Sequence, residues 1–407
     1  STLWCCELGY VNKAGVCYYE EDIYFLQKLI DNSQFKSNAP SSDLNPLKLG
    51  RQLWVNRRLV EFCSSPSTSK DCNMEYTLSG KIPLEIENLT ELKKIALVSN
   101  QLIGVIPKQI KSLQKLEELK LSSNHLIGTI PEEIGELKDL KILALNSNSF
   151  SGPLPKSFWN LINLKWIYLA SNYLSGNLEP DIRQMKDLTY LNFSNNNFNG
   201  NLPFEIGDLV ELQYVNFSQN NFEGRIPLSL GNLDLYRLNL GFNNLNEMIP
   251  AALGNLKNLV SLNLESNQFS GNIPASFNNM LKLKELNLQN NQLSGEIPFS
   301  FGELISLEKI NLTNNNFSGT LNSDLANLEN IKSINLSFNS FSGNFPENLF
   351  QIENLESLFL HGNQFSGTIN NSLCESNVEM KILIYDNSFC PPYPKCIKYL
   401  GDQKCKK

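Results

Sequence analysis

Histidine is almost missing from this chain. Its 407 residues carry only His125 and His361, far apart in sequence, which excludes a histidine-built metal site. Charge is sparse too: 18% of residues are Asp, Glu, Lys or Arg, the net charge is −7 and the pI about 5.2. With no long basic run, nucleic acid is not an expected partner. No apolar stretch approaches the ~18 residues a membrane-spanning helix needs. Cysteine is absent from residue 73 through residue 373. There is no G-x-S-x-G, no H-E-x-x-H and no glycine-rich phosphate loop. Neither histidine has a candidate nucleophile nearby in sequence. The expectation is a protein that is not an enzyme and holds no cofactor or metal. The chain starts at Ser1 without a signal-like apolar segment and reads as a mature or trimmed product. An apolar content of 41% is ample for a large core.

What is abundant is asparagine, and it recurs with a period. Segments beginning at Leu92, Leu116, Leu140, Leu164, Leu188, Leu212, Leu235, Leu259, Leu283, Leu307, Ile331 and Leu355 share the pattern LxxLxLxxNxLxGxIPxxLGxLxx. Every step is 24 residues except the 23 from Leu212 to Leu235. A period of this length and pattern predicts a leucine-rich-repeat solenoid. The alternating xxLxLxx segment predicts a short strand stacked in parallel on its neighbours, leucines inward and x residues outward. Asparagines from Asn100 to Asn363 close each turn, where a buried amide satisfies otherwise orphaned backbone groups. Two positions later Phe150, Phe198, Phe222, Phe269, Phe317, Phe341 and Phe365 invite reading as an aromatic box. Their inward register predicts a core spine instead.

The segments LIGVIP (102–107), LIGTIP (126–131), FSGPLP (150–155), FEGRIP (222–227), FSGNIP (269–274) and LSGEIP (293–298) resemble plant-type extracellular leucine-rich repeats. That family includes receptor-kinase ectodomains, receptor-like proteins and polygalacturonase-inhibiting proteins. The resemblance covers about residues 78–370. It implies an α/β solenoid: a right-handed leucine-rich-repeat superhelix of about 12–13 repeats with a parallel concave sheet and a second short sheet near G-x-I-P. Departures are local. Glu247 stands where the pattern has Gly, and Glu179, Asn322 and Asn370 where it has Pro. The residue missing near Leu233–Asp234–Leu235 predicts a small irregularity there.

Cys5, Cys6, Cys17, Cys63 and Cys72 lie at one end, and Cys374, Cys390, Cys396 and Cys405 at the other. Such segregation predicts disulfide-bonded caps over the apolar ends, in an oxidising compartment. The expected division is an N-terminal cap over 1–77, the solenoid over 78–373 and a C-terminal cap over 374–407. Bridges Cys63–Cys72 and Cys17 to Cys5 or Cys6 are expected, although spacing does not fix connectivity. One N-terminal cysteine is left over, either free or pairing between chains. Ile23, Leu26, Leu29 and Ile30 share one helical face within 18–33. Residues 36–50 and 64–71 read as loops, and the final repeat near 378–389 as degenerate. N-x-S/T sequons at Asn88, Asn192, Asn216, Asn311, Asn316, Asn335 and Asn370 fit a secreted glycoprotein, though an asparagine-rich repeat produces such matches by chance.

Two outward-facing features are candidates for binding. Trp166, Tyr190 and Tyr214 share one register, with Tyr168, Tyr236 and Arg237 beside them. Exposed Trp, Tyr and Arg are the types that dominate interface hot spots. The alternative is ordinary cross-strand packing of large residues. The second feature is a row of Asn192, Asn216, Asn239, Asn263, Asn287, Asn311 and Asn335. It could meet polysaccharide or ice, or be only the family's usual polar choice there. Glu117, Glu118 and Asp139 read as a solvated face, with no carboxylate pair marked as a glycosidase site. The reading is a secreted or cell-surface recognition module for an extracellular protein, peptide or cell-wall polysaccharide. Its rivals are a self-associating matrix or filament protein and, less favoured, an ice-binding protein.

Overall fold

The computed structural model describes residues 6–34, 38–66, 72, 76–344, 347–374, 380–397 and 399–405. They form two compact units, Ser1–Asn199 and Gly200–Lys407.

The first unit opens on a hairpin of Tyr10–Lys13 against Val16–Tyr19. Ala14 and Gly15 take φ of 53° and 87° at its tip, the two-residue geometry that matches strand twist. The Cys6–Cys17 bridge closes it, choosing Cys6 from the two expected partners of Cys17. Cys5 lies outside the described residues. Helix α1 (Glu20–Asn32) follows, its first turn carrying Glu20, Glu21 and Asp22 at the positive end of the helix dipole. The predicted face of Ile23, Leu26, Leu29 and Ile30 is buried, and Phe25 joins it. The sequence did not mark a second hairpin, Arg51–Val55 against Arg58–Cys63. Its last strand pairs in parallel with Lys94–Ala96, so the main sheet begins inside the segment expected to be cap alone. The Cys63–Cys72 bridge is present as expected.

A buried ion pair ties α1 to this hairpin. Asp22 is fully buried and receives Arg58 Nε at 2.9 Å, Arg58 Nη2 at 3.1 Å and the Leu59 N–H at 2.7 Å. Burial pushes the Asp22 carboxyl above its ordinary value, against the pull of Arg58. Arg58 also donates to the Asn88 carbonyl at 2.8 Å and lies 4.1 Å over the Tyr19 ring.

From Lys94 onward each coil repeats one plan. A three-residue strand joins the main parallel sheet, as in Trp166–Tyr168 and Tyr190–Asn192. A second strand such as His125–Gly128 joins the short lateral sheet predicted near G-x-I-P. A five-residue 3-10 turn such as Glu132–Glu136 follows, and these turns supply the helical layer. The turn-closing asparagine ties its own coil to the preceding one. Asn124 Oδ1 accepts the Leu102 N–H at 3.0 Å, while its Nδ2 donates to the carbonyls of Leu97 (2.7 Å) and Leu121 (3.0 Å).

The second unit continues the plan, from Tyr214–Asn216 to Lys381–Leu383 in its part of the main sheet. The last strand belongs to the repeat read as degenerate, yet Asn387 there is buried and makes the same bonds. The phenylalanine positions are core, as expected. Phe317, Phe341, Phe365 and Phe389 stack with near-parallel planes at 6.1–6.2 Å between successive rings. Bridges Cys374–Cys396 and Cys390–Cys405 close the C-terminal cap. The missing residue is absorbed at Leu233, whose ψ is 165°, where Leu209 and Leu256 have 68° and 67°. Beyond it the lateral sheet is interrupted between Asn244–Leu245 and Ser270–Gly271, with one isolated bridge, Met248 to Ser270. Glu247, within that interruption, keeps φ at 64° although it is not glycine.

Candidate functional site

The outward face of the main sheet carries the aromatic residues singled out by register. In the first unit Trp166 pairs with Ile142 on one side and Tyr190 on the other. Strand alternation turns Ile167 into the core, buried to 1% exposure, and leaves Trp166 38% exposed. Tyr168 and Tyr190 meet with ring centroids 4.6 Å apart and planes tilted by 33°. That contact is diagonal, and offset aromatic pairs of this kind contribute about 0.5–1.5 kcal/mol. Burial raises the Tyr168 hydroxyl pKa, so it stays protonated and able to donate.

In the second unit Tyr214 pairs with Arg237 in the same register. Tyr236 precedes Arg237 by one residue and so stands one column over, 50% exposed. The guanidinium of Arg237 lies 5.8 Å from the Tyr236 ring centroid. The structure thus brings together Trp166, Tyr168 and Tyr190 in one unit, and Tyr214, Tyr236 and Arg237 in the other.

The asparagine row has a structural task. Asn192 Oδ1 accepts from the N–H (3.0 Å) and hydroxyl (2.7 Å) of Ser194. Asn216 and Asn335 do the same with Ser218 and Ser337. Asn239, Asn263, Asn287 and Asn311 accept the N–H two residues on. Each amide oxygen therefore ends its own strand rather than facing solvent unpaired.

The carboxylates beside these strands are held ionised. A hydrogen bond from Lys141 lowers the Glu117 pKa. Burial pushes Glu118 up, but bonds and charge from Lys120 and Lys94 leave it below its ordinary value. Glu308 lies between Lys284 (2.8 Å) and Lys332 (2.7 Å), and their hydrogen bonds bring it to about 2. Carboxylates held so low are poor general acids at neutral pH.

A second aromatic group escaped the sequence reading. His361 stacks on Tyr385 at 4.4 Å and meets the edge of Phe338 at 4.9 Å, and Tyr385 meets Tyr399 at 5.3 Å. Lys381 Nζ stands 5.3 Å over the Phe359 ring. His361 is 8% exposed, and its Nδ1 has no hydrogen-bond partner among the described residues. Burial lowers its pKa, against the pull of Asp386. The available signal was the end of the asparagine row, where Phe359 pairs with Asn335.

Comparison with known families fits this geometry. Leucine rich repeat profiles match residues 90–150 and, in eight consecutive segments, residues 187–209 through 354–376. The chain belongs to the plant-type extracellular leucine-rich-repeat family. Among solved structures it resembles a TDR receptor at 33% identity and TM-score 0.76, covering 83% of this chain and 57% of that one. PEPR1 solved with AtPEP1 is 28% identical at TM-score 0.76, covering 90% and 55%. The Arabidopsis receptor kinase HAESA ectodomain, solved with an IDA peptide hormone ligand, is 31% identical at TM-score 0.74, covering 79% and 55%. This leucine-rich-repeat chain spans little more than half the length of those relatives. No curated protein matches its sequence significantly.

Proposed function

We propose that this leucine-rich-repeat chain is a non-catalytic extracellular recognition module that binds an extended peptide segment of a partner on its main-sheet face. The observation that carries the reading is the pairing of exposed Trp166 with Tyr190, backed by Tyr168 at 4.6 Å, on a strand array fixed by the asparagine ladder. Large aromatic side chains on a rigid support lose little conformational entropy when they bind. The second unit carries a group of its own, Tyr214, Tyr236 and Arg237, with aromatic area and a positive charge for an acidic side chain or terminus. One of the solved relatives, the HAESA ectodomain, holds an IDA peptide hormone ligand. The four disulfide bridges suit an oxidising exterior. Among the seven proposed glycosylation sites, Asn192 pairs with Tyr168, so a glycan there would stand beside the proposed contact. The filament reading rests on the odd cysteine count and the Cys-rich ends, and Cys5 lies outside the described residues.

Panning a random peptide library tests the proposal. Selected peptides should bind Tyr190→Ala and Tyr214→Ala about tenfold more weakly or worse, with both variants still folded cooperatively and Tyr190→Ala losing only about 0.5–1.5 kcal/mol of stability with its Tyr168 contact. Equal enrichment on the native protein and on the double variant refutes it.

A further inference from the structure

Away from the main sheet, the second unit carries two pockets built to one plan on its lateral flank. The first, about 320 Å³, is lined by Asn201, Phe204, Arg225, Leu228 and Glu247. The second, about 470 Å³, is lined by Glu296, Phe299, Thr320, Asn322 and Asn344. Phe204 and Phe299 each begin a 3-10 turn directly after its proline. They are 61% and 69% exposed, more than the exposed turn residues Phe242 (46%) and Phe338 (51%), whereas the phenylalanines of the core spine are buried. The corresponding position is Ala251, Ala275 and Ser323 in other coils of the unit, so the repeat itself does not require an aromatic. The two phenylalanines sit four coils apart in one register, a separation of about 19 Å at the parallel-strand spacing.

Several polar groups around them are uncommitted, although Asn322 bonds Asp324 with both its amide oxygen and its nitrogen. Arg225 and Glu247 line the same pocket without an ion pair, and neither side chain, nor that of Asn201, has a hydrogen-bond partner among the described residues. The side chains of Glu296 and Asn344 are likewise unpartnered among the described residues. Glu247 adds a second kind of observation. It occupies a left-handed backbone position, φ 64°, which glycine fills at Gly224, Gly271 and Gly295. A carboxylate kept where glycine is the stable choice marks a position with a task beyond folding.

We infer that these pockets are two subsites for a neutral extracellular polysaccharide. A pyranose ring offers a patch of C–H groups that packs on an exposed aromatic face. Its hydroxyls both donate and accept, which matches an amide, a guanidinium and a carboxylate standing free around that face. Arg225 and Glu247 balance each other in charge in the first pocket, and the lone Glu296 carboxylate in the second disfavours an anionic chain. At the second pocket a peptide adding to the sheet would need an open strand edge, and Gln292–Gly295 is paired on both sides. Two weak subsites about 19 Å apart gain affinity from one chain spanning both. The site is separate from the main-sheet aromatics, so either proposal can fail alone.

Affinity electrophoresis in native gels containing laminarin, hydroxyethylcellulose, glycol chitin or polygalacturonate tests the inference. At least one of the three neutral polymers should retard the native protein, and which one does so identifies the sugar linkage. Polygalacturonate should not. Phe204→Ser and Phe299→Ser should each weaken retardation about tenfold, and the pair should abolish it. Glu247→Gly should weaken it at least threefold while Tm stays the same or rises, which a purely structural glutamate would not produce. Tyr190→Ala should leave retardation unchanged. Absence of retardation in all three neutral gels, retardation by polygalacturonate alone, or full retention by the double phenylalanine variant overturns the proposal.

Discussion

Replacing Asn291 by alanine isolates what the asparagine ladder contributes. Its Oδ1 accepts the Phe269 N–H at 3.1 Å, and its Nδ2 donates to the carbonyls of Leu264 (3.0 Å), Leu288 (3.1 Å) and Gln289 (3.1 Å). Those carbonyls keep other partners in the variant. Leu264 keeps Asn267 Nδ2, Leu288 keeps Asn315 Nδ2 and Gln289 keeps the Ser266 N–H. Only the Phe269 N–H is orphaned, beside a fully buried ring. An orphaned buried donor costs about 1–3 kcal/mol, and each lost bond to a still-partnered carbonyl about 0.5 kcal/mol. The expected loss is about 3 kcal/mol. Asn287, on the opposite strand face, gives the control: its Oδ1 accepts a single N–H, from Gln289 at 3.3 Å, and it is half-buried. Asn287→Ala should cost less than about 1 kcal/mol. Urea unfolding followed by circular dichroism, with slopes unchanged between variants, measures both. Equal losses, or a loss below about 1 kcal/mol for Asn291→Ala, would refute the accounting.

Arg58→Ala strands the buried Asp22 carboxylate and should cost about 3–5 kcal/mol at pH 7, with most of it recovered in Asp22→Asn/Arg58→Leu. Because burial already raises the Asp22 pKa, that loss should shrink in acid, where a protonated carboxyl needs no cation; thermal scans at pH 4 and pH 7 compare the two. Glu308 has a depressed pKa of about 2, so its contribution is present above the unfolded-state value of about 4.3 and lost as pH falls through about 2. The stability difference between native protein and Glu308→Gln should follow that window, and a difference that grows toward acid would contradict it. Phe341→Ala opens the ring stack and should cost about 3–5 kcal/mol, whereas exposed Phe338→Ala should cost far less, by the same urea assay.

The repeat was legible because its spacing fixes both strand faces at once. Trp166 and Tyr190 are 24 residues apart and end up as Cα partners, as the register requires. The Tyr168–Tyr190 contact was not legible, since it is diagonal and depends on side-chain rotamers. The hairpin at 51–63 was missed because its turn, Asn56–Arg57, takes positive φ (49° and 68°) without the glycine that usually announces one. Four C-terminal cysteines allow three pairings, and only their positions in space select Cys374–Cys396 and Cys390–Cys405. The His361 group stayed hidden because Phe338 reaches it from a turn, at φ 53°, outside the strand alternation that guided the reading.

The interrupted lateral sheet near Glu247 has a mechanical consequence. Most coils of the second unit are held to their neighbours along two seams, but in the coil between Asn244–Leu245 and Ser270–Gly271 the lateral seam narrows to one isolated bridge, with the N–H groups of Gln268 and Ser270 donating to the Leu245 (2.7 Å) and Glu247 (2.9 Å) carbonyls. Pulled from its ends, a chain so built should yield first at that coil. Releasing one coil of 24 residues would add about 80 Å of extended chain. A single-molecule pulling trace that shows its earliest step near that length, and a later one when the seam is completed by mutation, would mark this coil as a built-in fuse under tension.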